Sequence, residues 1–378
     1  IKEYIMKNKE IFFEYKGKPN KIKKIVFLLR YFFANSILYL SLLTDYLRIY
    51  HRLSFEVILY SAYGVFLNKV FSVFRPDIVL SEAALIKTFM AAKIAKYQKV
   101  PIVFDTYAEI HDLSIGANKR LMEKERKKYW EAFLGLADFV ITPGPYCSRG
   151  PLNYLLKEKV NFVYDGSDYG ILNFDLSSDQ RSLRDSLGLP QDLFLVGSVG
   201  AFEFRKGHDH LIQAIARLSR EGYKVGVVIC GGSGDPEKWK DLAKKEGIEN
   251  KLFIFSRILE LELAKVYKSL DLYCELENTP RSCGFTMSIL EAMAMGLPIV
   301  IYNNKDMIEA IQDGKNGLAV PMNDIEALSL AILKIYQMSS EKRQIMGSNC
   351  SAFARKIDIN FTANRKMDLF KKIINNFK

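Results

Sequence analysis

Histidine is scarce in this chain: there are four in 378 residues, beside five cysteines and two tryptophans. The cysteines (Cys147, Cys230, Cys274, Cys283 and Cys350) are odd in number, far apart, and never set as C-x-x-C. That spacing excludes a disulfide scaffold and a zinc ribbon, and points to reduced thiols in a cytoplasmic setting. No Cys/His cluster has ligand spacing, so no metal site is expected. The chain lacks the Gly-Lys-Ser/Thr ending of a P-loop and the full G-x-G-x-x-G of a dinucleotide site. It also lacks a basic motif interleaved with aromatics, and its lysines are dispersed, which argues against nucleic acid as a partner. No secretory pattern opens it, and a start at Ile1 reads as a fragment.

What is present is a globular composition, with 49% hydrophobic and 26% charged residues. The length favours two domains over one. A net charge of +11 favours anionic partners such as nucleotide phosphates or an acidic membrane surface, with a plainly solvated lysine surface as the alternative. The first third is aromatic and basic. Residues 25–43 read as a helix with a broad apolar side (Phe27, Leu28, Tyr31, Phe32, Leu38, Tyr39 and Leu42). Arg30, Ala34, Ser41, Asp45 and Arg48 fall near its other face. Such a helix either packs on a core or lies in a membrane interface.

An alternation of strands and helices follows. Strands are expected at 55–60, 77–80, 101–105, 139–142 and 160–164, and helices at 83–97 and 119–136. A polar break at 177–190 marks the junction. The pattern restarts with strands at 193–199, 224–230, 252–255, 272–274 and 298–302. Helices at 208–220, 236–246, 260–268 and 287–295 separate them, and a basic helix ends the chain at 360–378. The fold class is therefore α/β, with two doubly wound parallel-sheet domains. They are placed at 1–176 and 177–358, with 359–378 as a terminal helix crossing back to the first.

In open parallel sheets ligands sit at the carboxyl ends of the strands. Three loops of the second half lie there. Gly197 to Gly207 carries glycines beside Arg205 and Lys206, residues suited to a diphosphate. Gly231 to Asp235 is a glycine-rich turn. Cys283 to Glu291 opens a helix, whose first N–H groups suit phosphate or sugar oxygens. Glu291 stands on that helix among apolar and small residues, where a carboxylate is costly unless hydrogen-bonded.

Together these stretches resemble the retaining glycosyltransferases of family 4, which have the GT-B fold of two Rossmann-like domains facing a cleft. The resemblance rests on ADFVIT at 137–142, DGSD at 165–168 and GSVGAFEFRKGHDHLIQAI at 197–215. It continues with CGGSGD at 230–235, CGFTMSILEAMAMGLPIV at 283–300 and EAIQDGKNGLAVP at 309–321. It implies transfer of a hexose from a UDP- or GDP-sugar to a hydroxyl, with retention, without a metal, and with no cofactor beyond the nucleotide-sugar substrate. Lys206, with Arg205 as helper, would hold the diphosphate; Gly200 and Ala201 would lie against it. Glu291 would take the ribose hydroxyls, Gly284, Phe285, Thr286 and Met287 would face sugar and phosphates, and Arg257 and Ile258 would flank the base. His111 best matches the family's histidine near the acceptor, with Tyr107 as another alignment. The implied acceptor is a glycan or lipid-linked saccharide, with peripheral contact at the inner face of a membrane.

Three departures are visible. The family motif is Glu, seven residues, Glu; its second member is Glu291, but Cys283 stands at the first, and a thiol is a poor acceptor for hydroxyls. Glu275 or Glu277 is placed to reach back instead. Ala201 stands where an arginine is usual. The first strand and glycine-rich loop of the family are missing or diverged before Phe55. These departures keep two other readings open: a nucleotide-sugar-binding protein without transfer, and a nucleotide-sugar epimerase.

Overall fold

A computed structural model of the chain describes residues 30, 33–50, 55–82, 86–106, 131–132, 134–153, 155–168, 179–278, 284–303 and 305–377. The chain divides into two compact units. One holds residues 1–142, 147–162 and 367–378; the other holds 143–146 and 163–366.

In the first unit, helices α1 (Ser36–Tyr50) and α2 (Phe55–Phe74) precede strand β1 (Val79–Glu82), helix α3 (Ile86–Tyr97), and strands β2 (Ile102–Asp105), β3 (Phe139–Thr142) and β4 (Val160–Phe162). The four strands form a parallel sheet in the order β1-β2-β3-β4. The strand expected at 55–60 is a correction: these residues are the opening of α2. Phe55 to Tyr60, apolar but for Glu56, is too short to distinguish strand from helix by itself, and the mostly apolar element runs for 20 residues in all, a length that suits a helix and not a strand. Leu38, Tyr39 and Leu42 of α1 are buried with Ala62, Val65 and Phe66 of α2 in one apolar cluster that reaches Phe89, Ile102 and Val140. The amino end of the helix read at 25–43 and most of the helix read at 119–136 lie outside the described residues.

The second unit runs α4 (Gln180–Ser186), β5 (Phe194–Val199), α5 (His208–Arg220), β6 (Val225–Gly231), α6 (Glu237–Lys245), β7 (Leu252–Ser256), α7 (Glu260–Ser269), β8 (Leu272–Glu275), α8 (Met287–Ala294), β9 (Ile299–Tyr302), β10 (Gly317–Val320), α9 (Ile325–Tyr336) and α10 (Ser340–Ala354). Helix α11 (Ile359–Phe377) closes the chain. Residues 163–168, read from the sequence with the first domain, belong here. Ser167 bridges to Asp358, and Thr362 Oγ1 donates to the carbonyl of Tyr164 at 2.9 Å.

All six strands are parallel, in the order β10-β9-β8-β5-β6-β7. Counting from β5, this is the 3-2-1-4-5-6 arrangement of a dinucleotide-type doubly wound fold. Side chains alternate across each strand. Val196, Val227 and Ile229 therefore enter one apolar layer with Leu211, Ile215 and Trp239, while Leu195, Val228 and Tyr273 enter the other with Ile289, Leu290 and Met293. The order reverses between β5 and β8. Beyond their carboxyl ends the neighbouring connections run to opposite faces, which is where a crevice opens in such sheets.

Candidate functional site

The loop after β5 and the segment after β8 meet at this switch point. Gly207 makes the approach possible. It takes a left-handed φ of 67°, and a Cβ there would lie 2.4 Å from the carbonyl oxygen of Leu276. Asn278 N donates to Arg205 O at 2.8 Å, and Asn278 Nδ2 donates to Phe204 O at 3.0 Å. The loop is thus fixed to β8, and its two cations face the carboxylates that β8 delivers.

Lys206 Nζ donates to Glu277 Oε2 at 2.6 Å and stands 4.0 Å from Glu275 Oε1. Arg205 Nη1 donates to Glu277 Oε1 at 2.9 Å, while its Nε donates to Glu203 Oε2 at 2.6 Å. The stem of Lys206 crosses the face of Gly200, where a Cβ would lie 3.1 Å from its Cδ. In this structure the bare face at Gly200 makes room for Lys206 itself. Ala201 sits on the same loop, and its carbonyl is 3.1 Å from His208 Nε2.

Glu275 is fully buried, and three hydroxyls satisfy it. Tyr273 donates to its Oε2 at 3.0 Å, Thr286 at 2.9 Å and Ser288 at 2.8 Å. Burial pushes this carboxyl above its usual range, against the pull of Lys206 and the two α8 hydroxyls. Thr286 also caps α8, accepting from Ile289 N at 3.3 Å. Phe285, just before that cap, stacks on Tyr164 at 4.5 Å, and Gly284 beside it is buried. Met287 opens the helix with a half-exposed side chain.

Glu291 is one turn further along. Tyr267 OH donates to its Oε2 at 2.9 Å and lies 3.2 Å from the carbonyl of Ser288. The charge of Glu291 also reaches Cys230 at the end of β6; that thiol is pushed up to about 12, mainly by burial. Lys206, Glu275, Ser288, Tyr267 and Glu291 therefore form one chain of polar contacts from the loop of β5 to the second turn of α8.

Next to Cys230 lies a pocket of about 270 Å³, lined by Phe202, Gly231, Gly232, Ser233, Gly234, Pro236, Ser256 and Arg257. Arg257 holds an uncommon φ of 56°, and its N–H donates to Gly231 O at 3.0 Å. Ile258 packs partly buried beside it. The glycines leave a wall of bare backbone, suited to a flat polar ring held through main-chain groups.

His208 is buried against Phe202 and Trp239. Burial pushes its imidazole down to about 4, helped by the charges of Lys206 and Lys238 and opposed by the carbonyls of Ala201 and Gly200. Among the described residues, no group of histidine, cysteine and carboxylate side chains is arranged to hold a metal ion.

The structure thus brings together Lys206, Arg205, Gly200, Ala201, Thr286, Met287 and Glu291, with Arg257 and Ile258 at the adjoining pocket. Cys283 and His111 lie outside the described residues. Both acids offered as substitutes for a carboxylate at 283 are present, but they divide the work: Glu275 turns to the α8 hydroxyls and Glu277 to the cations. Tyr267, Tyr273 and Ser288 went unnoticed in the sequence, where nothing distinguishes them from ordinary core or helix residues.

Residues 179–352 match the family model described as Glycosyl transferases group 1. Among curated proteins, the chain is similar to D-inositol 3-phosphate glycosyltransferases. It is 26% identical to that of Corynebacterium kroppenstedtii over 227 residues, 57% of this chain and 49% of the relative. It is 28% identical to that of Thermobifida fusca over 244 residues, 61% and 55% of the two chains. The chain spans about half the length of the curated relatives it matches. Among solved structures, a glycosyltransferase of Rickettsia africae superposes with a TM-score of 0.73 at 15% identity, over 84% of this chain and 82% of the other. HepE of Anabaena, solved in complex with UDP-glucose, superposes with a TM-score of 0.67 at 18% identity, over 82% of each chain. The fold is that of the GT-B glycosyltransferases.

Proposed function

Because the chain carries a Glycosyl transferases group 1 domain at residues 179–352, we propose that it transfers a hexose from a UDP- or GDP-sugar to a hydroxyl acceptor with retention. One observation carries this reading: the sheet's switch point joins two cations and a helix start in a single polar network, with a backbone-walled pocket after β6 beside it. The base enters the pocket beside Arg257 and Ile258. Glu291 accepts from the ribose hydroxyls, exchanging its bond with Tyr267 for them or sharing it. The diphosphate lies toward Lys206 and Arg205, near the amides of Gly284, Phe285, Thr286 and Met287.

The barrier to transfer is charge separation between an oxocarbenium-like sugar and a departing diphosphate. Fixed cations and oriented N–H groups lower it by stabilising the leaving group where its charge develops. This is the role a metal ion takes in other transferases, and here Lys206 and Arg205 supply it. The complex of HepE with UDP-glucose favours a uridine donor. His111 is assigned to the acceptor side. If Lys206 carries leaving-group charge, Lys206→Ala lowers kcat about 10²–10³-fold, while Arg205 still pairs with Glu277 and circular dichroism checks that the variant is folded. Full turnover by a folded Lys206→Ala protein removes the mechanism.

The acceptor we propose is a glycan or lipid-linked saccharide reached at the cytoplasmic face of a membrane. Phe33 and Ile37 are 77% and 84% exposed at helical spacing with half-exposed Leu40, an apolar stripe opposite the buried Leu38, Tyr39 and Leu42. No helix among the described residues is long and apolar enough to cross a membrane. Flotation with anionic vesicles at low salt is the check: the protein is expected in the lipid fraction, and recovery from the soluble fraction alone counts against it. A second reading, nucleotide-sugar binding without transfer, draws on the cations' existing partner, Glu277, and on the thiol at Cys283. Under that reading UDP-glucose raises the melting temperature, yet no sugar leaves the nucleotide.

A further inference from the structure

Glu277 poses a problem for a site that binds a diphosphate. Glu275, Leu276 and Glu277 continue the alternation of β8, so the two acids face one side while Leu276 is buried under Gly207. Glu275 is occupied by hydroxyls. Glu277 is buried too, and each of its oxygens takes a cation: Oε1 that of Arg205 and Oε2 that of Lys206. With Glu203 on the outer edge of Arg205, Lys206 and Arg205 are both already matched by carboxylates. An incoming diphosphate does not meet a bare positive patch. It shares Lys206 and Arg205 with a carboxylate that has little water to screen it.

We propose that Glu277 is a specificity-determining counter-ion, which makes the donor site favour a sugar nucleotide over the free nucleoside diphosphate left after transfer. This rests on the transferase reading above. The difference between the two ligands is charge. The diphosphate of a sugar nucleotide is a diester without a terminal phosphate monoester, and carries two negative charges. The free nucleoside diphosphate ends in a monoester whose last proton leaves near pH 6, so above that pH it carries a third. Lys206 and Arg205 attract that extra charge and Glu277 repels it. A site with cations alone retains the spent nucleotide; a site with Glu277 between them releases it.

Among the described residues, the charged and titratable groups placed around Glu277 include Glu203, Arg205 and Lys206 from the loop after β5, and Glu275 from β8. His208, which feels the Lys206 charge, is kept neutral by burial down to about 4. Burial raises the carboxyl of the neighbouring Glu275 above its usual range, toward neutral pH. A variant of Glu277 is therefore needed to separate the two carboxylates.

The test is calorimetric titration of the full chain with UDP and UDP-glucose, and in parallel GDP and GDP-mannose, between pH 5.5 and 8. Wild type is expected to lose affinity for the diphosphate relative to its sugar nucleotide as pH rises through 6. A site governed by its cations gains it, and that result overturns the proposal with no variant required. Glu277→Gln keeps the volume and an acceptor for Lys206 but removes the charge. It is expected to bind the free diphosphate about tenfold tighter at pH 8, to bind the sugar nucleotide within about twofold, and to lose or reverse the pH trend. A trend that persists in folded Glu277→Gln assigns it to Glu275 and overturns the role of Glu277. Equal shifts for both ligands show a structural role and also overturn it. Failure of every nucleotide to bind wild type removes the transferase reading and this inference with it. Tight binding with no effect of Glu277→Gln removes this inference alone.

Discussion

The two units use the same device at the start of a strand, and they use it at different depths. In the first unit Asp138, just before β3, donates its N–H to Ile102 O at 3.0 Å and accepts from Ile102 N through Oδ2 at 3.0 Å; Lys96 pairs with Oδ1. In the second, Asp271, just before β8, donates its N–H to Leu195 O at 2.9 Å and accepts from Leu195 N through Oδ2 at 2.7 Å; Arg184 pairs with the same oxygen at 2.6 Å. Each aspartate thus extends the parallel ladder by a side-chain bond at the sheet's amino edge. The cations differ: the Lys96 side chain is 36% exposed and that of Arg184 6%. Arg184 also donates to Ser269 O at 2.9 Å and Leu193 O at 3.0 Å, tying α4 to both edges of the switch point. A similar local pattern therefore carries different weight, and burial of the cation sets the difference.

The largest expected effect comes from breaking the buried pair. Arg184→Met takes from the half-buried Asp271 its cation, leaving it only the Leu195 N–H, and removes a donor from the carbonyls of Ser269 and Leu193; chemical denaturation is expected to show a loss of about 3–5 kcal/mol. Next is the buried imidazole. His208 takes a proton near its ordinary value of 6.5 when unfolded but only near 4 when folded. The unfolded chain thus binds more protons between those values, and stability falls as pH drops from 6.5 to 4. The loss is about 3 kcal/mol, seen as a falling denaturation midpoint that His208→Gln makes less dependent on pH in this window. The smallest effect belongs to the exposed pair. Lys96→Met is expected to cost under about 1 kcal/mol and to become negligible at high salt. A Lys96→Met loss as large as that of Arg184→Met would abolish the comparison.

Much of the second unit was legible because β5 to β8 are short apolar runs, each followed by a helix with its own start and stop; β10, joined to β9 without an α-helix between, was not foreseen. The helix expected at 208–220 matches α5, and the strand expected at 139–142 in the first unit matches β3. The α2 region was misread because its first six residues carry a single polar one, Glu56, too few to reveal a period, and only the full run to Phe74 identifies it. In the site, Lys206, Arg205 and Glu291 stood out as charges in glycine-rich or apolar surroundings. The tyrosines holding Glu275 and Glu291 did not, since an aromatic on a strand or helix is ordinarily core.

The amino-acid sequence alone determined the alternation of elements, the parallel class of the sheets, and the residue types available for a diphosphate, because propensity, periodicity and local turn chemistry act over a few residues. Tertiary structure decided the rest. Glu277 meets Lys206 and Arg205 across 71 and 72 positions of chain. No local rule reports such a meeting, since it follows from β5 and β8 lying side by side at the switch point. The same adjacency places Glu275 under the hydroxyls of α8 and turns a row of strand acids into a buried, paired network, because a carboxylate removed from water persists only where the fold supplies its partners.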